Sequence, residues 1–415
     1  MQPHLSTALN RPNVPLGGAT VTAKVDVTPG EREEDVVRHI ALCIDTSGSM
    51  HHDAKIDRAR DGARWVCGLL DEDDYLTIVS FNSETNQVLR PTRWGDISRK
   101  EAMERIDELT AGGGTNMYAG IETAREALEA LEFREESDDA GMVVKRLLLL
   151  SDGKDQHREP HEFQGIATEV DESGVRIEAA GIGDDYEEET IRTLGTTTRG
   201  TWTHLEAAGD IEAFFGEAVE QASEVVAPDA QLELDVAPGV EVSDVYRAVP
   251  QAQDVTLDWE ANTAIVKLPD LTEREEQRVV MKIHVPPVDD VVDRESEDDE
   301  SEESRVVPLV DVTLTARGGQ TSETITVEYT DDNAKLAEHR EDVQLDHQQT
   351  VIKTELGKGN VEAAETKVEK MTTIHGEDTQ IVDDLERETK LVKEGGRAER
   401  NRATKIVSDD EGIQK

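Results

Sequence analysis

Between Arg38 and Val226 the chain repeatedly sets a short apolar run beside a stretch with helical spacing. That alternation restricts the fold more than any other feature. The runs "HIALCID", "YLTIVSF", "VVKRLLLLS" and "VRIEAAGIG" are short and almost wholly apolar. Such runs suit strands whose two faces are both covered by helices. In the stretch 54–70, Ile56, Ala63, Val66, Cys67 and Leu70 form one apolar face. Ser98 and Glu101 have capping-box spacing for a second helix. Met117, Ile121, Ala124, Leu128 and Leu131 recur at helical intervals, and "GDIEAFFGEAVEQASEV" closes the series. The pattern predicts an α/β domain over 38–226 with a doubly wound, mostly parallel sheet.

On either side the pattern changes. Residues 227–330 hold alternating runs such as "AQLELDVAP", "QRVVMKIHV" and "SETITVEYT", separated by Pro, Gly and Asn turns. That is the pattern of an antiparallel β-sandwich. Residues 1–37 contain "ATVTAKVDVTP", a strand with no helix after it, read as a strand of the same sandwich. The α/β domain is then expected as an insertion in the sandwich. From 331 to 415 the chain reads as helical, with Gly357, Gly359, Asn360 and Gly376 marking breaks. Val351, Ile352, Leu356, Val361, Ala364, Val368 and Met371 supply apolar stripes, for a small bundle packed on the sandwich or for a partner-binding arm. The acidic run at 289–305 reads as a solvated loop.

The charge is extreme. Ninety-two Asp and Glu face 44 Lys and Arg in 415 residues, a formal net charge of −48. Arginine outnumbers lysine and large apolar side chains are scarce, a composition like that of extreme halophiles. At molar salt the Debye length falls to about 3 Å, which screens the self-repulsion such a surface creates. The same surface argues against a nucleic-acid partner. The N-terminal stretch "MQPHLSTALNRPNVPLGG" has no basic n-region and no apolar core, and no run is long enough for a membrane helix. Cys43 and Cys67 lack metal-ligand spacing and read as buried free thiols. A cytoplasmic protein that does not insert in a membrane is the expectation.

In an open parallel sheet, ligands gather beyond the carboxyl ends of the strands. "CIDTSGSM" ends the first apolar run on Asp45, with Ser47 and Ser49 on the following loop. "AGGGTNMYAG" brings Thr115 to the start of a helix, and "LLLLSDG" ends another strand at Asp152. Two carboxylates and three hydroxyls at one sheet edge suit a hard divalent cation, chiefly Mg²⁺. No Cys/His cluster accompanies them. Each residue taken singly has a plainer reading as a turn or helix cap. His51, His52, Asp53, His157 and His161 flank these loops and read as exposed loop residues, with a role beside the ligand or at a second metal as the alternative.

"DTSGSM", then "GGTNMYAGI", then "LSDG", in that order on a β/α framework, resembles the von Willebrand factor type A domain and its metal-ion-dependent adhesion site. The resemblance covers about 190 residues. It implies that Ser47, Ser49 and Thr115 bind the metal through their hydroxyls, with Asp45 and Asp152 contacting it directly or through water. Gly48 would keep the loop compact, and Gly153 would let it turn. The metal implied is Mg²⁺, with Mn²⁺ or Ca²⁺ as alternatives. The function implied is recognition, not turnover: a partner protein donates a Glu or Asp to the metal. A MoxR- or chelatase-type AAA+ ATPase is the partner suggested by intracellular members. The competing class is a phosphatase-like metal-dependent hydrolase, but Ser47 stands where its D-x-D-x-T motif needs the second Asp.

Overall fold

The computed structural model describes residues 3–32, 34–130, 142–273, 275–291, 305–317, 319–375, 380–395 and 397–404. The chain divides into two compact units, residues 32–225 and residues 1–31 with 226–415.

The 32–225 unit is built on a six-stranded sheet. Its order is Thr85–Arg93, Tyr75–Phe81, Val36–Asp45, Met142–Ser151, Val175–Ile182 and Trp202–Leu205. All neighbours are parallel except the Thr85–Arg93 edge, which pairs antiparallel with Tyr75–Phe81. Sequence reading missed that edge strand, which is polar and contains Pro91, and the four-residue strand at the other edge. Neither carries the apolar run that marks a strand buried on both faces.

Side chains of the central strands alternate between two cores. Ile40, Leu42 and Ile44 join the helices Lys55–Leu69 and Ile211–Ser223 on one face. Ala41 and Cys43 join Met117–Glu129, Phe163–Glu172 and Glu188–Thr197 on the other. Period-two alternation between two apolar layers explains why these runs read as uniformly hydrophobic. Cys43 and Cys67 are free, buried thiols, and burial pushes the Cys67 thiol up to about 12. At the helix Arg99–Asp107, Ser98 Oγ accepts from Glu101 N at 3.2 Å, the first half of the expected capping box.

From Val36–Asp45 the chain first builds the sheet outward on one side, then crosses to Met142–Ser151 on the other. The carboxyl ends of these two strands, at Asp45 and Ser151, therefore flank the point where strand order reverses. That is where an open α/β sheet leaves a crevice.

Two of the sheets in the second unit share one apolar core. One runs His4–Leu9, Ala19–Thr28, Gln277–Val285, Glu241–Val249, Gln253–Asp254, antiparallel throughout. The other runs Asp258–Glu260, Thr263–Lys267, Gln231–Val236, Arg305–Ala316, Gly319–Tyr329, Asn13–Val14, with only the last pair parallel. Val21, Val25, Val279 and Ile283 from the first meet Leu232, Leu234, Val312 and Val327 from the second. The first 31 residues thus supply three strands where sequence reading found one, because His4–Leu9 and Asn13–Val14 lack β-branched alternation.

The helices Glu341–Gly357, Val361–His375, Gln380–Glu394 and Arg397–Ala403 have a core of their own around Ile352, Leu356, Met371 and Leu385. The first lies against the antiparallel sheet, where Asp346 pairs with Lys24 at 3.0 Å and Arg278 at 3.3 Å. Gly359, at φ +79°, lies at the expected break, between Glu341–Gly357 and Val361–His375. The expected break at Gly376, and most of the acidic run at 289–305, lie outside the described residues. Among the described residues no helix is long and apolar enough to cross a membrane.

Candidate metal centre

The loop after Val36–Asp45 is tied down before it carries any chemistry. Thr46 N donates to Phe81 O at 2.8 Å, Gly112 N to Thr46 O at 2.8 Å, and Gly48 N to Gly113 O at 3.0 Å. The third loop joins through Gln156 N, which donates to Thr115 O at 3.0 Å. Asp155 completes the brace, accepting from Tyr118 N at 3.0 Å and from His157 N at 2.7 Å.

The five sequence-selected side chains meet inside this brace. Asp45 is fully buried; its Oδ1 accepts from Ser47 N at 2.7 Å and its Oδ2 from Ser151 Oγ at 2.7 Å. Ser47 Oγ and Ser49 Oγ lie 3.0 Å apart. Ser49 Oγ donates to Asp152 Oδ1 at 2.6 Å, and Asp152 too is fully buried. Thr115 Oγ1 faces the same space: a Cβ built on Gly153 would come within 3.4 Å of it and 4.0 Å of Ser49 Oγ. Glycine at 153 leaves open a cradle that any side chain would begin to fill.

The plainer reading as turns and caps holds for Asp45, whose bond to Ser47 N is an Asx turn. It does not extend to the hydroxyls. Ser47 precedes the Gly48–Ala54 turn, yet its side chain makes no capping bond. The cap of Met117–Glu129 is Asn116, whose side chain accepts from Ala119 N, so Thr115 is left for other work.

Electrostatics point the same way. Burial pushes the Asp45 carboxyl up to about 6, against the hydrogen bonds from Ser151 and Ser47 that favour its charged form; the Asp152 charge adds to the rise. Lys55 Nζ, 2.7 Å from Asp152 Oδ2, is the cation paired with this cluster. Two buried carboxylates beside one ammonium leave room for further positive charge.

Among the described residues no three His, Cys, Asp or Glu side chains stand together as metal ligands, so any metal here is held largely by hydroxyls. Such a donor set fits a hard, oxygen-seeking cation and not zinc in a Cys/His site. His51, His52, Asp53, His157 and His161 are exposed. Sequence reading missed Lys55, Ser151 and Asp155. Ser151 stood in the quoted "LLLLSDG"; Lys55 and Asp155 carried no spacing signal.

Residues 39–217 match the family model of the von Willebrand factor type A domain. This segment is a von Willebrand factor type A domain. Beyond that segment, the chain is similar in fold to a von Willebrand factor type A protein from Catenulispora acidiphila. That match has a TM-score of 0.77, 17% identity and 98% coverage of both chains. The ArnB paralogue VWA2 from Sulfolobus acidocaldarius gives a TM-score of 0.63 at 17% identity, covering 97% of each chain. At these identities the likeness is one of fold. Among curated relatives, the uncharacterised protein sll0103 of Synechocystis is 23% identical over 295 residues, 69% of this chain and 67% of its own. YfbK of Escherichia coli, also uncharacterised, is 25% identical over 223 residues, 52% of this chain and 37% of its own. Von Willebrand factor type A domains are commonly metal-dependent protein-interaction modules.

Proposed function

We propose that this domain recognises a partner protein through a divalent metal held by Ser47, Ser49, Thr115, Asp45 and Asp152. The observation that carries the reading is the use of the Ser49 proton. A hydroxyl has one proton and two lone pairs. Ser49 gives its proton to Asp152, so toward the open cradle it has only lone pairs to offer.

Mg²⁺ is the metal favoured, with Mn²⁺ or Ca²⁺ as alternatives, because small hard cations suit oxygen donors and keep exchangeable positions. Bound mainly by neutral hydroxyls, the ion would keep much of its positive charge and attract a Glu or Asp side chain. In a chain of net charge −48 this face would be a local cationic exception. The inserted-domain reading, with boundaries near 38 and 226, is supported by the pairing of Ala19–Thr28 with Gln277–Val285 across the intervening domain. A cytoplasmic setting, a high-salt environment and an AAA+ ATPase partner of the MoxR or chelatase type complete the proposal, the last by resemblance alone.

The test is capture of a partner by the full chain in molar KCl with Mg²⁺, repeated with EDTA and with Ser47→Ala. Binding lost in both controls supports the reading. Binding indifferent to both overturns it. A phosphoester screen of the same preparations distinguishes the hydrolase class.

A further inference from the structure

We propose that Lys55 is a resident countercharge of the metal centre, a positioning residue that holds Asp152 in place when no metal is bound and limits how tightly a divalent cation binds. This rests on the reading of the five-residue cluster as a metal centre.

The contact is built into the fold. Lys55 opens the helix Lys55–Leu69, and its Nζ reaches Asp152 Oδ2 at 2.7 Å. The lysine side chain is 13% exposed and the aspartate 0%, so little water screens the pair. Asp152 is thereby divided between two partners, with Oδ1 taking the Ser49 proton and Oδ2 the ammonium. A Cβ on Gly183 would lie 3.6 Å from Nζ, which puts the ammonium beside the loop that follows Val175–Ile182.

The backbone leading into Lys55 is an independent observation. Asp53 (φ 54°) and Ala54 (φ 57°) are consecutive non-glycine residues in the left-handed region, directly before the helix. Left-handed backbone is unfavourable for L-residues and persists where the surroundings over-determine it. This strained step sets where the helix begins, and so where Lys55 leaves it.

A buried carboxylate without a partner is costly, and the Lys55 ammonium removes that cost at Asp152 before any metal arrives. The same fixed charge repels a dication entering the cradle, in a site where water screens weakly. Lys55 therefore trades metal affinity for a preformed metal-free site. Removing its charge while keeping its length should shift that balance in both directions.

The experiment titrates Mg²⁺ by calorimetry into the full chain in molar KCl and records melting with and without Mg²⁺. The variants are Lys55→Met, Lys55→Gln, Lys55→Arg and Ser47→Ala. We expect Lys55→Met to bind Mg²⁺ about tenfold more tightly, to melt lower without metal, and to gain more on adding it. Lys55→Arg, which keeps the charge, should stay near the parent. If Lys55→Met folds poorly without Mg²⁺ and recovers with it, the proposal is also supported; Lys55→Gln repeats the affinity measurement. Unchanged or weaker affinity in Lys55→Met and Lys55→Gln, with Ser47→Ala still abolishing binding, overturns the role of Lys55 alone. Absence of Mg²⁺ binding in every form overturns the metal reading and this inference with it.

Discussion

Ser49 Oγ donates a 2.6 Å hydrogen bond to Asp152 Oδ1 across 103 residues of sequence, joining the loop after one central strand to the loop after its neighbour. The bond is possible because Val36–Asp45 and Met142–Ser151 run parallel and side by side, so both end at the same edge. It also spends the hydroxyl proton on a carboxylate and leaves oxygen lone pairs for a cation.

Asp45→Ala and Thr115→Ala should each abolish Mg²⁺ binding while changing the metal-free melting temperature by only a few degrees. Neither side chain belongs to an apolar core, and Asp45 is already a buried charge whose desolvation opposes folding. Calorimetric titration checks the first claim and thermal melting the second. Retained Mg²⁺ affinity in both variants would sink the metal reading.

Gly120→Ala should destabilise the domain by about 1–3 kcal/mol through overpacking. The new Cβ would lie 2.7 Å from Phe81 Cδ1, on the strand whose end anchors Thr46. Alanine's better helix propensity, about 1 kcal/mol over glycine, works against this and is outweighed. A melting temperature equal to or above the parent's would contradict the packing argument.

Acid should weaken the second unit through His347. The imidazole projects from the helix Glu341–Gly357 and is buried, edge-on to Tyr246, and its Nε2 has no hydrogen-bond partner among the described residues. Burial, then the nearby Lys282 and Lys367 charges, lowers it from 6.5 to about 4, with Asp244 opposing. The folded value lies below the unfolded one, so the unfolded chain binds the extra proton. Stability from this group is whole above about pH 6.5 and is lost as pH falls toward 4, by up to roughly 3 kcal/mol. Protonation of carboxylates eases surface repulsion over the same range, so the comparison is with His347→Gln. The variant's urea-unfolding stability should fall less between pH 7 and 4.5 than the parent's; equal losses would rule His347 out.

Desalting should lower stability. At a net charge of −48, repulsion that is screened in molar KCl acts over about 30 Å at 0.01 M. Thermal melts across a KCl series should show a falling melting temperature as salt is removed. A flat or rising trend would refute the halophilic reading of the composition.

Amides of residues 21–27 should exchange slowly with solvent. Ala19–Thr28 is an interior strand, hydrogen-bonded to His4–Leu9 on one side and Gln277–Val285 on the other. Mass-spectrometric hydrogen exchange on the full chain checks this. Rapid exchange would show that the N-terminal segment is not part of the second unit's sheet.

The strand–helix alternation of the central domain was legible because burial on both faces forces uninterrupted apolar runs, as in Ile40–Ile44 and Leu147–Leu150. Edge strands escape that rule. Thr85–Arg93 is hydrogen-bonded along one edge only and tolerates Pro91 and polar residues, so it left no signal. The loop-end residues were legible too, since oxygen-bearing side chains directly after an apolar run are unusual enough to notice.

By itself, the sequence determined which segments must be buried strands and helices, because hydrophobic period is a local property of the chain. It also determined that Asp45, Ser47, Ser49, Thr115 and Asp152 fall at element ends. Only the tertiary structure decided that those ends share one edge of the sheet, that Ser49's proton goes to Asp152, and that Lys55 supplies the opposing charge. Strand order and side-chain pairing depend on contacts between residues about a hundred positions apart, and no local period records them.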